Sequence, residues 1–179
     1  WDDPAREAGR REGLRFGRQM NAFFLDRVPE AEWDYLLAKC RKMGYAFANV
    51  CWKPVSNWGD MEPQPGKYDF AALDRLVGRL DRHGMTAALM LTTLTGSPPA
   101  WWVERHGADC QLTVTEIDRQ TRQPVKVQRG INLFHAPTGE ALAKFLTAYA
   151  AHCKAAWPKA VEGVYVEGEQ RELEAPADE

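Results

Sequence analysis

The 179-residue chain has no apolar run long enough to cross a membrane, its longest, such as Thr86 to Leu91, falling far short of the roughly 20 residues a spanning helix needs. No membrane partner is expected. It also has little net charge: 23 lysines and arginines against 25 aspartates and glutamates leave −2, and the arginines are interleaved with acids along the chain. That balance supplies no field to gather phosphates, so nucleic acid is not expected as a partner. Cysteine is scarce and scattered. Cys40, Cys51, Cys110 and Cys153 include no C-x-x-C pair, which argues against a zinc site and against a disulfide framework and leaves them as small buried hydrophobes. Phosphate signatures are missing too, with no G-x-G-x-x-G after the first strand and no G-x-x-x-x-G-K-[ST] anywhere. Neither a metal nor a cofactor is expected. The chain opens at Trp1 without a methionine or a signal peptide, so a processed or trimmed product is expected, with the compartment, cytoplasmic or secreted after signal removal, left open.

What is present is the material of a core. With 45% hydrophobic and 27% charged residues the composition fits a soluble globular domain. Leu14 to Asn21 reads as a first strand. From Glu30 to Met43, Trp33, Leu36, Leu37 and Cys40 recur at helical spacing, with acids in the first turn, Lys39, Arg41 and Lys42 in the last, and Gly44 as stop. Tyr45 to Trp52 makes a second strand. Leu73, Leu76, Val77 and Leu80 stripe a second helix that stops at Gly84, and Met85 to Thr92 follows as a third strand. A third helix runs from Gly139 to Trp157, with Leu142, Phe145, Leu146, Tyr149 and Cys153 on one face, and Val161 to Glu167 is the fourth strand. Between the third strand and third helix, residues 110–128 alternate as a hairpin would. Strands alternating with helices in this way form right-handed βαβ units around a parallel sheet, which sets the class as α/β.

Periodicity does not separate a closed barrel from an open doubly wound sheet; the loops do. The stretch from Trp58 to Asp74, with Trp58, Met61-Glu62-Pro63, Gly66 and Tyr68-Asp69-Phe70, resembles the second loop of retaining (β/α)8 glycosidases, W-x-x-(I/L/M)-E-P-x-x-G-x-(Y/F)-D-F-x-x-(L/A)-D. Gly84 and Pro98-Pro99-Ala100-Trp101 follow at the spacing of family 42 β-galactosidases and of family 10 xylanases. Two segments favour the first group. Arg129 to Pro137 is similar to its arginine-to-proline segment, and Gly163 to Glu169 lies where that family has G-W-Q-I-D-N-E, with Gly168 in place of the asparagine. The similarity to xylanases is weaker, since Met90 and Leu94 replace their histidine and tryptophan. The resemblance covers residues 14 to 170. It implies a TIM barrel of which this chain holds the first four β/α units as one domain, and a glycosidase acting on an oligosaccharide or polysaccharide, β-galactosidase-like, with retention of configuration.

Glycoside hydrolysis uses one carboxyl kept protonated for the leaving oxygen and, in retaining enzymes, a second about 5–5.5 Å away that attacks the anomeric carbon. Alternation along the fourth strand sets Val164 and Val166 toward the helices and Tyr165, Glu167 and Glu169 toward the barrel interior. The resemblance selects Glu169 as acid/base; a solvated strand end leading into Arg171-Glu172 is the plainer alternative. Trp58, Trp101 and Trp102 are candidate platforms for sugar rings, Trp58 and Trp101 ahead of Trp102, set against aromatic packing under a loop. Arg129, His135, Glu167 and Asn21 are candidates for hydrogen bonds to sugar hydroxyls, Asn21 because it ends the first strand. Glu62 in an E-P turn reads as structural. His83, His106 and His152 lack metal-ligand spacing and read as packing or surface residues.

A full barrel takes about 250 residues, and the family's nucleophile is a glutamate on the seventh strand, outside this chain. The rest of the barrel is therefore expected as a partner, in the same or another chain. The reading from another class is a non-catalytic carbohydrate-binding or scaffold half-barrel. A lysine-dependent aldolase or a phosphate-binding barrel would need a strand-end lysine or a glycine-rich loop, and neither is visible.

Overall fold

The computed structural model describes the backbone of residues 16–21 and all atoms of residues 28–93 and 96–166. The expectations placed on Leu14 and Arg15 and on Glu167 and Glu169 lie outside the described residues. In chain order the first elements are β1 (Phe16–Asn21), α1 (Trp33–Lys42), β2 (Tyr45–Cys51), the single turns α2 (Lys53–Ser56) and α3 (Trp58–Met61), and α4 (Ala71–Arg82). There follow β3 (Thr86–Leu91), α5 (Ala100–His106), β4 (Leu112–Ile117), β5 (Pro124–Arg129), α6 (Ala136–Ala156) and β6 (Val161–Val166).

The main sheet runs β1-β2-β3-β6, and each neighbouring pair is parallel. Each strand lies beside the one before it, with no reversal of order. A doubly wound sheet reverses direction at a switch point; this one winds in a single direction, as the first four strands of a (β/α)8 barrel do.

Period-2 alternation divides the sheet into two faces. Ala48, Val50, Ala87 and Leu89 are fully buried and meet the helices, whereas Asn49 and Tyr165 share the opposite face, where the Tyr165 hydroxyl donates to Asn49 Oδ1 across β3. The helical layer follows the apolar stripes. Leu73, Leu76, Val77 and Leu80 of α4 are all buried, as are Thr138, Leu142, Phe145, Tyr149 and Cys153 of α6. Each such leucine contributes about 1.5–3 kcal/mol through removal from water. Polar side-chain contacts join the helical layer: Arg79 bridges Glu30 at 3.1 Å, His83 Nε2 lies 2.9 Å from Asp34, and Asp74 accepts from the Trp157 indole at 2.7 Å beside His152 at 2.8 Å.

Two elements differ from expectation. Helix α6 starts at Ala136 rather than Gly139, because Pro137 fits the first turn, where its missing N–H would have no partner in any case. Helix α5 was not expected at all after Pro98-Pro99; Pro99 stays extended as its N-cap and the helix begins at Ala100. The alternating segment is an antiparallel hairpin, β4 against β5, with Val114 opposite Val127. Its turn is closed by Asp118, whose carboxylate accepts from the Gln120 and Thr121 amides.

Candidate active site

In a parallel barrel the C-terminal strand ends form the mouth, and here these are Asn21, Cys51, Leu91 and Val166. Asn21 is in register with Cys51, and Leu91 with Val166. Below them on the interior face the Tyr165–Asn49 hydrogen bond spans β3. Burial pushes the Tyr165 phenol above its ordinary pKa, opposed by Asn49, so it is a neutral hydrogen-bond donor at physiological pH. Nearer the opposite end Thr86 donates to Glu162. Val164 packs with the helix-side core.

The loop after β2 is held by its own side chains. The Trp58 indole donates to Glu62 Oε2 at 2.5 Å, and the Gly66 amide donates to Glu62 Oε1 at 2.8 Å. Gly66 sits at φ 70°, the left-handed conformation glycine takes without strain. The Asp69 amide donates to the Met61 carbonyl, and the Asp69 carboxylate accepts from the Ala71 amide at the start of α4. Tyr68 stacks on Phe70, their centroids 5.8 Å apart. The tryptophan, glutamate, glycine and aspartate of the motif are thus successive links of one closed loop, and Glu62 is structural, as its E-P context suggests.

Trp58 requires a correction. It is 1% exposed, tilted against Trp102 at 5.9 Å and stacked near Phe145 at 6.2 Å, so neither face is open to a sugar. The indole is a core side chain with its one donor satisfied by Glu62.

The same loop is clipped to the one after β3. Asn57 Nδ2 donates to Asp60 and to Ser97 Oγ, and Asn57 Oδ1 accepts from the Ser97 amide at 2.6 Å. The Gly59 amide donates to the Ser97 carbonyl, and a Cβ at Gly59 would lie 2.9 Å from the Pro98 oxygen. The Thr92 amide and hydroxyl both donate to the Ser56 carbonyl. Asn57, Ser97 and the Asn49–Tyr165 pair carry no local signature in the sequence; the glycines at 59 and 96 are the available signal for a close backbone approach.

The other candidates are dispersed. Trp101 is partly buried, its indole donating to the Glu62 carbonyl at 2.9 Å, and it lines a cavity on the helical flank together with Tyr68 and Arg105. Arg129, at the end of β5, pairs with Glu116 across the hairpin. His135 is the N-cap of α6, with Nδ1 2.7 Å from Thr138 Oγ1, and Trp102 Nε1 donates to that hydroxyl as well. His106 stacks on Trp102, while His83 and His152 pair with acids. No cluster of metal-ligating side chains occurs among the described residues. None of the four cysteines is in a disulfide and three of them are buried, and burial first, then Asp74, pushes the Cys153 thiol up to about 11. No helix of the described residues is long and apolar enough to cross a membrane.

Comparison with known proteins sets this geometry in context. The chain is 34% identical over 106 residues to the β-galactosidase BbgII of Bifidobacterium bifidum, covering 59% of this chain and 14% of that protein. It is 43% identical over 84 residues to the β-galactosidase BgaH of Haloferax lucentense, covering 47% and 12%. Among solved structures, the β-galactosidase of the psychrophilic Marinomonas ef1 superposes with a TM-score of 0.61 at 20% identity, over 87% of this chain and 22% of that one. The catalytic domain of a β-amylase from Paenibacillus polymyxa gives 0.65 at 10% identity, over 85% and 36%. The fold is that of TIM-barrel glycosidases, and the chain spans under a quarter of the length of its β-galactosidase relatives. The β-galactosidase profile of glycoside hydrolase family 42 matches residues 22–157, a span holding the loop closed by Glu62, the clip at Ser97 and the hairpin, and the chain belongs to that family.

Proposed function

We propose that the complete protein carrying this chain hydrolyses β-galactosides with retention, residues 1–179 forming one domain, the N-terminal half of its barrel, with the hairpin of residues 110–128 inserted after the third strand. Glu169 is the acid/base. The observation that carries this reading is the strand order: β6 is the fourth parallel strand, and Glu169 follows its last residue, Val166, by three positions, where barrel enzymes build their sites. Tyr165 is on the barrel face, and the reading extends that alternation to Glu167 and Glu169.

In this mechanism Glu169 protonates the leaving oxygen, a carboxylate from the barrel half outside this chain attacks the anomeric carbon, and Glu169 then takes a proton from the incoming water. The substrate is an oligosaccharide or polysaccharide ending in galactose. Asn21 and Glu167 are the first candidates to bind its hydroxyls. Arg129 and His135 come after them, since Glu116 and Thr138 already engage their side chains.

A Glu169→Gln protein keeps shape but loses the proton donor. It is expected to fail on sugars with poor leaving groups, to form the glycosyl intermediate from an activated aryl galactoside, and to regain turnover with azide, which needs no general base. Intact turnover in Glu169→Gln with loss in Glu167→Gln would move the acid/base by two residues. Normal turnover in both variants would move the acid/base to another residue, and no turnover by the parent protein would leave the carbohydrate-binding half-barrel as the better account.

A further inference from the structure

A cavity on the helical flank of the sheet holds Trp101. It encloses about 300 Å³, the low end for small-ligand sites. Three segments build it: the loop closed by Glu62, helix α5 and the first turns of α6. Along α6 the lining positions Glu140 and Lys144 are one turn apart, on a stripe beside the buried one of Leu142 and Phe145. The cavity therefore opens on the helical side. Trp58 and Phe145 fill the core behind it, and Asn49 and Tyr165 lie on the other face of the sheet.

Its lining is organised before any ligand arrives. The Trp101 ring is fixed by its bond to the Glu62 carbonyl and by Trp102, edge-on at 5.4 Å and 85°. Arg105 reaches over that ring, its guanidinium carbon 5.8 Å from the centroid. Tyr68 adds a second aromatic wall. Glu62 is not free, since Trp58 and Gly66 occupy both its oxygens. Glu140 and Lys144 have no side-chain partner among the described residues, so donors and an acceptor stand around an aromatic surface.

We infer that this cavity is an accessory binding site for a neutral saccharide chain, a pyranose lying against Trp101 while Arg105, Lys144 and Glu140 take its hydroxyls. The chemistry decides among ligand classes. An anion would meet the Glu140 carboxylate, and an apolar ligand would strip water from three charged heads without returning hydrogen bonds. A sugar offers apolar C–H faces to the indole and hydroxyls that both donate and accept. The choice of ligand class rests on the carbohydrate reading of the protein; the cavity itself is on the helical side of the sheet, opposite the Asn49–Tyr165 face.

The test is native electrophoresis of the complete protein through gels containing a soluble β-linked galactan. The mouth is first closed with a fluorinated galactosyl fluoride that traps the covalent intermediate of retaining β-galactosidases. Trapping, read by mass, reports on the proposed activity; retardation reports on the cavity. The parent protein is expected to be retarded. The double variant Arg105→Ala/Lys144→Ala, which removes exposed heads only, is expected to bind about tenfold more weakly, as loss of two hydrogen bonds implies, and Glu140→Gln should weaken binding in the same direction. Retardation without trapping would leave the cavity standing and remove the mechanism. Trapping with no retardation, or equal retardation of parent and double variant, would overturn the accessory site. So would a smaller molar mass of the double variant in light scattering without galactan, since the cavity would then be a contact between copies.

Discussion

Two connections leave the sheet toward the mouth, and they are held in opposite ways. Residues 52–70, after β2, bury Val55, Asn57, Trp58, Met61 and Glu62 and close through side chains: Trp58 to Glu62, Glu62 to Gly66, Asn57 to Ser97. Residues 107–135, after β3, close through a backbone ladder, leave Ile117 60% and Phe134 89% exposed, and anchor to the core at Cys110 and Ile131. A ladder of amides accepts almost any side chain with β propensity, whereas a loop closed by an indole, a carboxylate and a left-handed glycine accepts few. The residues that carry the family motif in the first connection are therefore marks of folding closure, and the chemistry is sought at the strand ends that closure positions.

That contrast is broken most severely at Trp58. Trp58→Ala should cost about 3–5 kcal/mol in urea unfolding of the complete protein, as for other buried aromatics, and affinity for sugar should change only as far as the fold is lost. An unaltered unfolding midpoint with weakened binding would return Trp58 to the sugar site. Next is Gly96→Ala. A Cβ there would lie 2.2 Å from the Thr92 oxygen, so a backbone shift costing about 1–3 kcal/mol is expected. Tyr149→Phe removes the 3.0 Å bond from the phenol to the Val55 carbonyl and should cost about 1–3 kcal/mol because that buried acceptor loses its partner. In the hairpin, Ile117→Ala should change stability by no more than about 0.5 kcal/mol, as for an exposed position. A loss there comparable to that at Trp58 would show that the ladder is not self-sufficient.

Acid acts on the hairpin through its turn. The Thr121 amide, followed by the Thr121 hydroxyl and the Gln120 amide and opposed by burial, holds the Asp118 carboxyl below the usual aspartate range. A depressed folded pKa gives a contribution that is present above the unfolded value and lost as pH falls through the folded one. Amide exchange in residues 112–129, corrected for its intrinsic rate, should therefore speed up below the ordinary aspartate range. Unchanged exchange there would contradict a turn closed by the Asp118 carboxylate.

Much of the architecture was legible in the sequence because it rests on local periodicity. The stripe Leu73, Leu76, Val77 and Leu80 is buried as its spacing implies, and the alternation around Val114 and Val127 pairs as a hairpin. Helix α5 escaped because two prolines mask a start that only tertiary packing makes worthwhile. Trp58 was misassigned for a different reason: an indole in a glycosidase-like loop has the same sequence signal whether it packs or stacks on sugar, and only burial separates the two. Asn49 and Tyr165 meet across β3 through strand register and sheet curvature, and Arg105 and Lys144 meet around the cavity through the docking of α5 on α6. Neither is a local property of the chain.

The stereochemistry of the reaction is the decisive measurement. Proton NMR of the complete protein acting on an aryl β-galactoside should show β-galactose as the first-formed anomer, with the α form growing in only by mutarotation. First release of the α anomer would contradict a double displacement with Glu169 as acid/base, and no release of galactose would contradict the enzyme reading itself.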